Sequence, residues 1–171
     1  MSELKIDNLV QKLPKGEGKY KIRKLSAIGK IAVHHSAIRG GTAMAYARYH
    51  IDTNGWPCIG YHYVIDADGT IHKVNNLSTV SYHVGQSNRI ACGVCFTGNY
   101  DEDTPPEAQL AAGAALIAEL LRAMPWLQLN DIWGHTQFPG YAWKSCPGKL
   151  FPLARLIDMV EKRMKDELAG A

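Results

Sequence analysis

The strongest constraint on this chain is the interleaving of short apolar strands with amphipathic helices, joined by a single tight hairpin. Ile31-Ala32-Val33-His34-His35 reads as a buried strand that closes on a turn at Gly40-Gly41. Thr42 is placed to cap a helix running to about His50, and Asn54-Gly55 stops it. Tyr61–Ile65 is a β-rich run. Asp68-Gly69 then supplies a hairpin turn, and Thr70–Val74 is the return strand. Ile90–Phe96 is a third apolar strand. Thr104-Pro105-Pro106-Glu107 has the pattern of a capping box with proline at the first helical position. It predicts a helix over about 105–124, with Leu110, Ala114, Ile117 and Leu121 along one face. Asp131–His135 predicts a last short strand. A final helix over about 152–168 sets Leu153, Leu156, Ile157, Val160 and Met164 opposite charged residues. The pattern implies an α/β protein: a central mixed β-sheet flanked by helices.

At 171 residues the chain has the size of one domain. Such a chain buries roughly 70 % of its unfolded surface and needs no staples. Residues 1–24, rich in lysine and broken by Pro14, Gly16 and Gly18, are expected to be a basic lead-in, with the working domain over 25–171. The net charge is +3, from 19 Lys and Arg against 16 Asp and Glu. That is too diffuse for a nucleic-acid binder and tolerates an anionic polymer as partner. Four cysteines do not make a disulfide framework at this length. Cys92 and Cys95 lie three apart in a strand, so they face opposite sides and read as core residues. No stretch reaches the roughly 20 apolar residues of a membrane span. Met1–Gln11 has no apolar signal region, so synthesis in the cytoplasm without a signal peptide is expected. A monomer is expected as well.

His34 and His135 each end a strand, and strands of one sheet can bring distant ends together. Cys146 follows in a loop fixed by Pro147-Gly148. Two imidazoles and a thiolate form a known catalytic zinc set that leaves a fourth position for water. Spacing alone leaves a second account open, three unrelated residues, because no local pair such as H-E-x-x-H is present. Within the strand, Ile31, Val33 and His35 share one face and Ala32 and His34 the other. The large residues belong on the core, which turns His34 toward a groove and leaves His35 buried and hydrogen-bonded. The reverse stays open, because strand ends twist and bulge. His50, His62 and His72 read as structural or surface histidines. Trp56, Tyr141 and Trp143 lie in loops near the presumed groove, either against a ligand or as loop anchors.

Several segments in order carry a family resemblance. They are Val33-His34-His35-Ser36-Ala37, Gly60-Tyr61-His62-Tyr63-Val64-Ile65, Tyr82-His83-Val84-Gly85, Gly93-Val94-x-Phe96-x-Gly98-Asn99, Gly134-His135 and Lys144-x-Cys146-Pro147-Gly148. Together, from about Ile31 to Phe151, the chain resembles the N-acetylmuramoyl-L-alanine amidases, in the branch shared by short phage lysins and animal peptidoglycan-recognition proteins. The resemblance implies one Zn²⁺ on His34, His135 and Cys146, in a groove at one face of the sheet. It implies that Tyr61 and Lys144 assist catalysis, that His83 lines the substrate groove and that Asn88 contacts the peptide. The loop Thr136–Ser145 is longer than in the shortest phage members.

The implied activity is zinc-dependent hydrolysis of the amide between N-acetylmuramic acid and L-alanine of peptidoglycan, by a phage or prophage endolysin that reaches the wall after release from the cytoplasm. The competing reading is a non-catalytic peptidoglycan-binding module of the same fold. Members that only recognise their ligand lose a metal ligand, so the complete set favours an enzyme.

Overall fold

The computed structural model describes residues 4–169. Its main sheet has six strands: β1 (Ile6–Asn8), β3 (Lys30–His35), β4 (Tyr63–Ile65), β5 (Ile71–Lys73), β7 (Ala91–Phe96) and β8 (Ile132–Gly134). Their order is β1-β5-β4-β7-β3-β8. Strands β4, β7, β3 and β8 run parallel, and β5 turns back antiparallel to β4 through the Asp68-Gly69 turn. Two short strands, β2 (Lys21–Ile22) and β6 (Thr79–Val80), form a separate antiparallel pair. The expected mixed sheet is therefore present.

Helices cover both faces. Helix α2 (Glu107–Ala123) and helix α3 (Leu153–Ala169) pack on one side. There Leu110, Leu116, Ile117, Leu121, Leu156 and Val160 meet Ile31, Val33, Cys92, Val94 and Phe96 in the main core. Helix α1 (Ala43–Asp52) covers the other side, where Tyr46 and Ala47 meet Val64, Cys95 and Ile59. Each fully buried aliphatic side chain contributes about 1.5–3 kcal/mol, so the alternation along β3 and β7 fixes which face meets α2. Cys92 and Cys95 lie in different cores, as strand periodicity requires.

Two details differ from expectation. Helix α2 begins at Glu107, with extended Pro106 as its N-cap and no side-chain cap. The capping box at Thr104 is not formed, because a proline forces the residue before it out of helical geometry, and here Pro106 follows Pro105. At α1 the reading holds, with Thr42 Oγ1 accepting from Ala45 N at 3.2 Å. The second difference concerns the stretch read as a lead-in. Its residues 6–8 add the edge strand β1, parallel to β5, and Tyr20 and Arg23 bond to backbone of the domain. Two- and three-residue strands carry too few side chains to show a period, so nothing local marked them.

Candidate metal centre

Val33 of β3 is in register with Gly134 of β8. The next residues in the two chains, His34 and His135, therefore stand side by side, with ring centroids 4.7 Å apart. Cys146 arrives on the loop after β8. Thr136 N donates to Cys146 O at 3.1 Å, and the loop lies directly on the strand. A Cβ at Gly134 would sit 2.9 Å from Pro147 Cδ, so only glycine allows that approach. One ligand atom from each of His34, His135 and Cys146 lies within 4.8 Å of the others. A tetrahedral ion with zinc-like bonds needs its ligand atoms roughly 3.5 Å apart, and Cys146 Sγ is 3.6 Å from His34 Nδ1.

The electrostatics suit a soft cation. Burial holds the His34 imidazole well below its usual range, helped by neighbouring His83 and His135. Burial also lowers His135 to about 4 and pushes the Cys146 thiol up to about 12. Both rings are thus neutral lone-pair donors at neutral pH, and a thiolate here requires a positive charge beside it. His135 Nε2 is buried without a hydrogen-bond partner, which is costly for an imidazole nitrogen unless the ring engages something the protein does not supply. By these tests the residues fit a bound transition metal. Among the described residues this is the only such group of His, Cys, Asp or Glu.

The groove over these atoms has a volume of about 250 Å³, and Tyr61, His83, Lys144, His50, Trp56 and Tyr82 also line it. The Tyr61 ring lies 5.4 Å from that of His34. Burial, with the Cys95 and Cys146 thiols beside it, raises the Tyr61 hydroxyl well above its ordinary value, so it stays a proton donor. Lys144 Nζ sits 5.2 Å from the Trp143 ring and 5.6 Å from Tyr141. His35 Nδ1 is engaged outside the triad, accepting from Tyr100 N at 3.0 Å.

Of the seven expected site residues, six share this groove and Asn88 does not. Its Oδ1 accepts from His83 N at 2.9 Å and Val84 N at 2.7 Å. Trp56 lines the groove. Tyr141 meets the His135 ring at 4.4 Å in a tilted contact, and Trp143 is 78 % exposed over a second depression of about 710 Å³. His50 reads from sequence as a structural or surface histidine. It both lines the groove and accepts from Gly60 N at 3.0 Å. Arg23 carries no local signal of its role, because its partners lie 39–68 residues away in sequence.

Sheet and groove define an α/β protein with a His, His, Cys candidate metal centre. The profile of the N-acetylmuramoyl-L-alanine amidase family matches residues 24–149, and the chain belongs to that family. Among curated relatives, peptidoglycan-recognition protein SC1a of Drosophila melanogaster is 29 % identical over 100 residues, 58 % of this chain and 52 % of that protein. The chain thus spans about half the length of the curated relatives it matches first. Two solved structures share the fold. N-acetylmuramoyl-L-alanine amidase LysC from Clostridium intestinale URNW has a TM-score of 0.76 at 23 % identity, covering 92 % of this chain and 97 % of that one. The Ph2119 endolysin from the Thermus scotoductus MAT2119 bacteriophage Ph2119 has a TM-score of 0.78 at 21 % identity, covering 91 % and 99 %. No helix among the described residues is long and apolar enough to cross a membrane.

Proposed function

We propose that this protein is a zinc-dependent hydrolase that cuts the amide between N-acetylmuramic acid and L-alanine of peptidoglycan, acting as a lytic enzyme of the endolysin kind. The observation that carries this reading is the complete triad of His34, His135 and Cys146 with Tyr61 and Lys144 in the same groove. Zn²⁺ held there would lower the pKa of a bound water and polarise the scissile carbonyl. The chain's own groups supply the rest. The Lys144 ammonium offers charge to the carbonyl oxygen as it becomes an oxyanion. The Tyr61 hydroxyl, which keeps its proton, can donate a hydrogen bond to a group bound in the groove and hand on that proton. Burial excludes water from the His34 side, which strengthens each of these interactions.

A binding module of the same fold is the second reading, favoured by the likeness to a peptidoglycan-recognition protein. Digestion of purified peptidoglycan with and without a chelator separates the two. The enzyme releases stem peptides beginning at L-alanine and leaves muramic acid intact, and chelation stops it. Binding without release supports the module. Cut glycan strands, or release that survives metal removal, would overturn the amidase reading.

A further inference from the structure

His83 was expected to meet substrate, yet its closest polar contacts point into the protein. Its Nε2 lies 3.3 Å from Ala91 O, an oxygen that also receives Arg23 Nη1 at 2.9 Å. A carbonyl only accepts, so His83 Nε2 carries the proton. The ring is buried, and among the described residues no carboxylate bonds to it or to His34. Both rings are therefore neutral. His83 Nδ1 is then a lone pair, and it lies 3.0 Å from His34 Nε2. That nitrogen must be the N–H of His34. By elimination the His34 lone pair is on Nδ1, the atom facing Cys146 Sγ.

We propose that His83 is a positioning residue that fixes the tautomer and ring angle of His34, so that Nδ1 is the nitrogen offered to the metal. The inference rests on the reading of His34, His135 and Cys146 as a zinc site. A metal-bound imidazole is commonly held through its other nitrogen, and this arrangement does so with a second imidazole in place of a carboxylate.

The surroundings of His83 serve the same end. Its ring lies on bare backbone at Gly93, where a Cβ would come within 2.8 Å of Nδ1. Asn88 Oδ1 grips the backbone on either side of it. Arg23 in turn holds Asn88 O at 2.8 Å and Ala91 O at 2.9 Å, so one half-buried guanidinium anchors both the clamp and the acceptor. Asn88 and Arg23 thus act on the site through His83 from outside the groove lining.

Two measurements test this. Ring ¹⁵N–¹H correlation spectra of the metal-free protein read the tautomers directly, and both His34 and His83 are expected as Nε2–H. Competition with a chromophoric chelator reads zinc affinity. His83→Leu is expected to weaken it by about 10–100-fold. His83→Asn places an amide oxygen near the Nδ1 position and is expected to stay within a few-fold of the parent. An Nδ1–H tautomer at His34, or unchanged affinity in His83→Leu, would overturn the inference. If His83→Leu does not fold, the tautomer spectrum of the unaltered protein decides. A parent protein that binds no zinc overturns the proposed function instead, and the tautomer result still stands or falls by itself.

Discussion

Replacing Gly93 by alanine tests how tightly the candidate metal centre is braced from behind. The new Cβ would lie 2.8 Å from His83 Nδ1 and 3.0 Å from both Cε1 and Cγ. Ordinary contacts are about 3.5–4 Å, so the ring must retreat by roughly 0.5–1 Å. Gly93 is buried, and the ring atom nearest the new Cβ, Nδ1, is the same atom that lies 3.0 Å from His34 Nε2, so a shift of the ring disturbs that bond. Overpacking of this kind costs about 1–3 kcal/mol. Alanine recovers about 0.4–1 kcal/mol by restricting the unfolded chain, which leaves a net loss of about 1.3 kcal/mol at mid-range values. For a domain of this size that lowers Tm by roughly 3–5 °C. Thermal unfolding of metal-free Gly93→Ala reads this loss, and chelator competition should show zinc affinity about tenfold weaker or more. Parent-like stability together with parent-like zinc affinity would refute the argument, because the contact would then be slack.

Three further outcomes are expected. Cys146→Ser removes the sole thiolate of the triad and should greatly weaken zinc binding and peptidoglycan cleavage; if both persist, the ligand assignment fails. Lys144→Met should lower kcat by about 100–1,000-fold, the usual loss for one oxyanion donor, with zinc affinity within a few-fold; equal losses in both would move Lys144 from catalysis to metal binding. Stability should fall as pH is lowered below about 6.5. Folded His62, buried beside Arg23, resists protonation down to about 3, whereas the unfolded residue takes a proton near 6.5. The unfolded state therefore binds that proton first, costing about 1.4 kcal/mol per pH unit across the window. A urea midpoint that does not change between pH 7 and pH 4 would contradict this.

The parts of the fold that could be read in advance are those whose side chains repeat. Alternation along Ile31–His35 separated the core face from the groove face, and it chose His34 over His35 because Ile31 and Val33 need the α2 side. The hairpin was legible because Asp68-Gly69 has few other uses. Strands β1, β2 and β6 were not, since two or three residues show no period and their pairing is decided by distant partners. The candidate site was legible as a set of residue types in order. Its supporting contacts were not, because a ring nitrogen's partner depends on which carbonyl lies nearby. Asn88 shows the difference: the family resemblance implies a peptide contact there, and only the fold shows that its oxygen accepts from two backbone N–H groups.

Strand β1 has a consequence beyond the groove. It is three residues long, and it covers one border of the main sheet by pairing with β5. Asp7 reinforces it by reaching His72 Nδ1 at 3.3 Å. A chain shortened to begin at residue 25 would expose the outer edge of β5, an open row of amide and carbonyl groups that invites a second molecule to pair. The same cut would remove Arg23. Self-association and a loosened metal centre would then appear together, and the shortened protein could be mistaken for one whose catalytic residues had failed.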